Sequence, residues 1–158
     1  MAKRSQAPAQ HEVPAVEALA NRWNSVAIHL TRRLRLADAQ WGVPAARLSA
    51  LSVLVFGGSC TLGELARREQ VTPPTMTHIV TGLETMGLAR RVPSEDDARL
   101  VIVEPTSAGR RLMARCRAAR VERLAAALQA LPTEDLDVLD RAATILAQVE
   151  RGMAGSGT

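Results

Sequence analysis

Aromatic side chains are almost missing from this sequence: its 158 residues include Trp23, Trp41 and Phe56 and no tyrosine. A core must therefore be assembled from Leu, Val and Ala, which favours packed helices. Cysteine is equally scarce. Cys60 and Cys116 stand far apart without CxxC spacing, which argues against a zinc cluster or a disulfide framework and leaves buried, inert thiols as the expectation. No apolar run approaches the roughly 20 residues that cross a bilayer. The start MAKRSQAPAQ has no hydrophobic segment behind its charges, so we expect no membrane span, no signal peptide and a cytoplasmic location. Enzyme signatures are missing too. There is no GxGxxG, P-loop, HExxH or GxSxG pattern, and His11, His29 and His78 are too dispersed for metal-ligand spacing. No catalytic residue, metal or cofactor is expected.

Charge is present but unevenly spread. A formal net charge of +4 favours a polyanionic partner. Yet residues 61–105 hold five basic and seven acidic side chains, whereas 106–131 hold six basic and one acidic. Bulk charge alone thus points away from the segment that carries the more specific signal.

Along the chain, residues 1–13 read as a disordered arm and 152–158, rich in glycine and small residues, as a disordered tail. Val16, Leu19, Trp23, Val26, Leu30 and Leu34 recur at three and four, predicting an amphipathic helix over 14–40. Beyond Gly42 and Pro44, Ser49 is positioned to cap a short helix that Gly57 and Gly58 stop. Thr61-Leu-Gly-Glu64 has the form of a capping box and opens a third helix to about Glu69. In VTPPTMTHIV, Thr72 is the expected N-cap of a fourth helix. Pro73 and Pro74 then fall in its first turn, where amides have no intrahelical partner and proline is tolerated. Gly87 supplies a left-handed C-terminal cap. Leu88–Val92 and Leu100–Val103 read as a hairpin around the polar loop 93–99, whose Glu95, Asp96 and Asp97 are solvated. Thr106 caps a long helix to about Leu131, and Thr133 opens a last one after Pro132.

Short helices joined by a tight turn and followed by a hairpin make a winged helix-turn-helix, here over 47–105. The fold class is therefore mainly α, with six helices and a small β-hairpin wing. Projection of the fourth helix places Met76, Ile79, Val80, Leu83 and Met86 on a buried face and Pro74, Thr77, His78, Thr81 and Thr85 on the other. That second face has no Lys or Arg and is small enough to enter a groove. Its hydroxyls and methyls suit base edges and His78 suits a guanine or a phosphate. Phosphate attraction falls to Arg67 and Arg68 on the preceding helix and to Arg90, Arg91 and Arg99 in the wing. Arg99 is the candidate for a narrow minor groove.

At these residues the sequence resembles the MarR family of winged helix-turn-helix regulators. The matching pieces are TLGELARREQVTPPTMTHIVTGLETMGLARR, Asp97-x-Arg99 followed by LVIVEPTSAG, and the flanking long helices, together spanning roughly Ala15 to Gln148. The resemblance implies an intertwined homodimer that interlocks the first and last two helices and sets one winged module on each half of a pseudopalindromic DNA site. It places Thr72, Thr75, Thr77 and His78 on the groove-reading part of the recognition helix. It makes Arg99 the wing arginine and gives Asp97 the task of holding the wing loop. Relatives often carry Arg at the places of His78 and Gly82 and an acid at that of Thr81, so half-site preference does not transfer. Pro105 stands where Leu is usual and is expected to loosen the end of the second strand.

The dimer also has a basis in the residues. Helices over 14–40 and 106–151 carry more apolar surface than a winged module can cover, so this dimerisation region calls for a second copy. The resemblance further implies a repressor role and release by a small, often anionic or phenolic, effector. Trp23, His29 and Arg115 are the candidates to line its pocket. Two other readings stay open: a winged module that binds protein, and a redox-responsive regulator using a cysteine, for which Cys60 is the candidate.

Overall fold

The computed structural model describes residues 15–94 and 100–155. Helix α1 spans Val16–Arg35 and passes into a 3-10 turn, Leu36–Trp41. Helix α2 follows over Ala45–Gly57, the short strand β1 over Cys60–Thr61, α3 over Leu62–Arg68 and α4 over Pro73–Thr85. Strands β2 (Ala89–Pro93) and β3 (Val101–Pro105) lead into α5 (Ser107–Leu128) and α6 (Thr133–Gly155). Six helices and a wing thus appear in the expected order.

The sheet has three strands, not two. Strand β3 lies between β1 and β2 in an antiparallel arrangement, with Cys60 opposite Val103 and Arg91 opposite Val103 on the other edge. Sequence pattern missed β1 because two residues carry no period; they become a strand only by pairing with β3. Pro105 does not loosen β3. It is buried and pairs with Ala89 as the last ladder position, a strand end where a missing N–H is harmless.

Local chemistry explains most helix ends. Thr61 accepts a hydrogen bond from the Glu64 amide at 3.2 Å while Glu64 accepts from the Thr61 amide at 2.8 Å, completing the capping box. The Thr61 amide first, and then the Thr61 hydroxyl donating to Glu64 Oε2 at 3.0 Å, hold the Glu64 carboxyl below its ordinary range. The box is therefore intact at neutral pH and weakens as pH falls through the lowered value. Thr72 caps α4 with Pro73 and Pro74 in its first turn. Helix α2 starts earlier than Ser49. Pro44, at φ −55° and ψ 142°, sends the chain into the helix at Ala45, and the Ser49 hydroxyl donates to Glu69 Oε1 at 3.1 Å. Helix α6 likewise runs through 152–155, into the stretch expected to be tail, because backbone bonding continues past Gly152.

Two left-handed residues shape the module that α2 to β3 build. Gly87, at φ +68°, ends α4 in a Schellman arrangement in which the Leu88 amide donates to Leu83 O and the Gly87 amide to Glu84 O. Gln70 does the same for α3 at φ +54°, with the Val71 amide donating to Ala66 O. Leu51, Leu54, Leu65, Met76, Val80, Leu83, Val103, Met113 and Cys116 form the fully buried centre of the core. The first half of α5 is thus part of the winged module. At Gly109 a side chain would overlap the Leu88 carbonyl, so glycine lets α5 come this close to the turn that leads into β2.

A non-glycine residue in the left-handed region carries a strain of about 1–2 kcal/mol. Gln70→Gly is therefore expected to raise unfolding stability by about 1 kcal/mol in urea denaturation, with α3 and α4 unchanged; a drop in stability would mean that the Gln70 side chain contributes more than its backbone costs.

Candidate DNA interface

Helix α4 is held from behind by Met76, Ile79, Val80 and Leu83, all buried. Met86, expected on that face, is 38% exposed. It lies past the last helical residue as the C-cap, so its side chain leaves the core. Burial of the other four fixes the rotation of the helix and turns Pro74, Thr75, Thr77, His78, Thr81 and Thr85 outward, where all six are exposed.

The hydroxyls on this face are already directed. Thr77 Oγ1 donates to Pro73 O at 2.9 Å and Thr85 Oγ1 donates to Thr81 O at 2.9 Å. With their protons spent on the helix backbone, these two threonines offer methyl groups and lone pairs, which match thymine methyls and the amino groups of adenine or cytosine. Thr72 and Thr75 share a hydroxyl bond of 2.9 Å at the helix start, where Pro73 and Pro74 carry no N–H and the Thr75 amide is taken by Thr72 Oγ1, so this end offers a ligand hydroxyls and not free amides.

The arginines divide into tethered and extended. Arg91 is half-buried and bonded to Glu84, and its Nη2 also reaches Thr77 O and Thr81 Oγ1, each at 3.4 Å. Glu84 is the one carboxylate of α4, so Arg91 cancels its charge and braces the helix against the wing. Arg90 pairs with Glu104 across the hairpin and keeps most of its side chain in solvent. Arg68 donates to Gly57 O at 3.2 Å, and Arg67 and Arg68 are both exposed at the end of α3. Asp97 and Arg99 lie outside the described residues.

One arginine escaped sequence reasoning. Arg47 of α2 lays its guanidinium over Gly82, where a Cβ would overlap Nε, Cζ and Nη2, and its Nη1 approaches Met86 Sδ at 3.8 Å. A helix start at Ser49 puts Arg47 in a loop; a glycine inside a helix is the sequence signal that something packs there.

The three candidate effector residues occupy different surroundings. Trp23 lines an apolar groove between α1, α5 and α6. Arg115 stacks on Trp41, its Cζ 5.2 Å from the ring centroid. His29 is exposed on α1. A separate cavity of about 340 Å³, where the 3-10 turn meets α2 and α5, is lined by Arg35, Asp38, Val43, Leu48, Ser49 and Arg120. There Arg120 grips Asp38 with two bonds of 3.1 and 2.8 Å. Sequence spacing gave no hint of this pair, whose members lie 82 residues apart.

A family model for MarR matches residues 44–101, the stretch that contains α2 to the start of β3. An HTH-type transcriptional regulator of Mycobacterium leprae is 36% identical over 131 residues, covering 83% of this chain and 92% of the relative. The chain belongs to the MarR family. A regulator of the same description from Mycobacterium tuberculosis is 37% identical over 128 residues, covering 81% of this chain and 90% of its own. Among solved structures, a MarR family protein from Bacillus stearothermophilus superposes with a TM-score of 0.72 at 26% identity, over 86% of this chain and 95% of that one. RV1404 from Mycobacterium tuberculosis has the same fold, with a TM-score of 0.74 at 21% identity over 89% and 97%. This MarR family member is a DNA-binding transcriptional regulator and not an enzyme. No helix among its described residues is long and apolar enough to cross a membrane.

Both cysteines of this regulator are buried. Desolvation pushes the thiols of Cys60 and Cys116 above the ordinary range, Arg68 opposing the shift at Cys60. Low thiolate content makes a redox switch at either position unfavourable. Native protein at neutral pH is expected to react slowly with a thiol-specific chromogenic reagent and denatured protein at once; fast labelling of native Cys60 would reopen the redox reading.

Proposed function

We propose that this MarR family regulator binds a pseudopalindromic operator as a homodimer, represses the gene it covers, and releases DNA when a small anionic or phenolic molecule binds. The observation that carries the reading is the outer face of α4: six small or neutral exposed side chains on a helix whose one carboxylate is already paired. Such a face enters a major groove without repulsion and without a charged side chain to desolvate. Thr72, Pro74, Thr75, Thr77, His78 and Thr81 are assigned to the groove. Arg67, Arg68 and Arg99 supply phosphate or minor-groove attraction, Arg91 orients α4, and Asp97 shapes the wing loop. Arg90, whose side chain is exposed though paired with Glu104, adds to that attraction by exchanging the carboxylate for a phosphate. A repressor role follows if the operator overlaps a promoter, since the bound dimer then blocks access.

A second copy is supported by α1 and α6, which hold no buried residue among those described. Val16, Ile28, Leu36, Ile145 and Met153 are each more than half exposed. Between α1, α5 and α6 runs an apolar groove of about 840 Å³ lined by Leu19, Trp23, Leu128, Leu139 and Leu146 among others. Surface of this kind is too apolar to stay in water and suits a symmetric, isologous contact. Trp23 is thereby assigned to the dimer core.

For the effector, the cavity beside the Asp38–Arg120 pair replaces Trp23, His29 and Arg115 as the proposed site. It combines two guanidinium groups with Val43 and Leu48, a match to a carboxylate on an apolar ring. A structural neighbour, NadR, was solved in complex with 4-hydroxyphenylacetate. An anion seated here competes with Asp38 for Arg120 and so loosens the link between the 3-10 turn and α5.

Gel shift with duplex from upstream of the protein's own gene tests the operator reading. Arg99→Ala is expected to weaken binding by about 1–3 kcal/mol per site, affinity is expected to fall steeply with salt, and millimolar 4-hydroxyphenylacetate to release the complex. Equal binding by both proteins removes the wing arginine, and indifference to the phenolic acid removes this class of effector. Light scattering is expected to give twice the chain mass, and Leu139→Glu with Leu146→Glu to give the single mass and no operator binding. A monomeric wild type would end the two-fold model.

A further inference from the structure

We infer that Arg47 is an additional DNA contact: a guanidinium delivered from α2 through the notch at Gly82, placed to grip a backbone phosphate beside the groove that α4 enters. The inference rests on the operator-binding role proposed above and adds to it a residue from outside the recognition helix and the wing.

Projection of α4 at ~100° per residue puts Gly82 and Met86 along one edge of the exposed face and Thr77, Thr81 and Glu84 along the other. Arg91 from β2 follows the second edge, in contact with Thr77, Thr81 and Glu84. Arg47 follows the first, over Gly82 and against Met86. Pro74, His78 and Thr85 are therefore bracketed by two guanidinium groups from opposite sides of the helix.

The two brackets differ in charge. Arg91 is neutralised by Glu84. Among the described residues no carboxylate forms a salt bridge with Arg47, and its side-chain hydrogen-bond partner is the Met86 thioether, a weak acceptor. Arg47 is nevertheless half-buried, so its charge is partly desolvated without compensation. Were its task only to pack α2 on α4, a leucine or methionine would do it without that cost. A phosphate of the DNA backbone supplies the missing anion, with planar bidentate geometry that a guanidinium favours. Gly82 is the complement: it leaves room for the guanidinium to lie flat on the helix, so the charge is held in place before DNA arrives.

The test uses the full-length protein and duplex from upstream of its gene, with affinity measured across a salt series. Arg47→Ala is expected to weaken binding about tenfold and to flatten the slope of log K against log salt by about one for each phosphate no longer neutralised, with its thermal midpoint unchanged. Gly82→Ala is expected to expel the guanidinium. Because alanine suits a helix interior better than glycine, it should reduce affinity while keeping or raising stability. The double variant should bind no more weakly than either single one. The proposal is overturned if Arg47→Ala keeps the wild-type affinity and salt slope, or if its thermal stability falls while the slope stays the same, which would mark a packing role. Wild-type protein that binds no duplex would instead sink the operator reading, and this one with it.

Discussion

Helix α4 has to satisfy two surroundings at once, and its rotation about its own axis is the constraint on which the interface depends. Met76, Ile79, Val80 and Leu83 are dehydrated against α2 and α3, each burial favouring the folded state by about 1.5–3 kcal/mol as an upper estimate. No hydrogen bond on the outer face approaches that sum. The core therefore decides which residues look outward, and a turn of ~100° would exchange threonines for apolar side chains. The proposed readout and the stability are two consequences of one helical period.

Around that helix the charges are arranged by subtraction. Glu84 is paired with Arg91, and Glu104 with Arg90, so neither of these carboxylates beside α4 presents an uncompensated charge, although the segment's excess of acids over bases is unchanged by the pairing. Net charge over a stretch of sequence counts groups; a phosphate responds to potential at a surface, where paired ions contribute little.

Helices α1 and α6 obey another rule. Their apolar stripes hold no buried residue among those described, whereas the first half of α5 closes the winged core with Leu112, Met113 and Cys116. One helix thus belongs to both layers, and the partly buried Asp38–Arg120 pair ties the 3-10 turn to it. The two layers are joined through packed side chains on α5 and through this ion pair.

What could be read without coordinates were features completed within a few residues of chain. The Thr61 and Thr72 caps, the prolines at the start of α4, the Gly87 stop and the split of α4 into two faces depend on hydrogen bonds and spacings three or four residues long, so composition and order suffice. The sequence also carried the residue signature of its family in those same stretches. Long-range pairing decided the rest. Strand β1 exists because Cys60 meets Val103, Pro105 is tolerated because Ala89 lies opposite, Arg91 is tethered because the wing folds back on Glu84, and Arg47 rests on α4 because Gly82 leaves space. Trp23, His29 and Arg115 shared a plausible chemistry but not a place. Electrostatic and packing energies fall off with distance in space, and sequence records only distance along the chain; groups tens of residues apart come to interact, or fail to, only when the fold sets the ångströms between them.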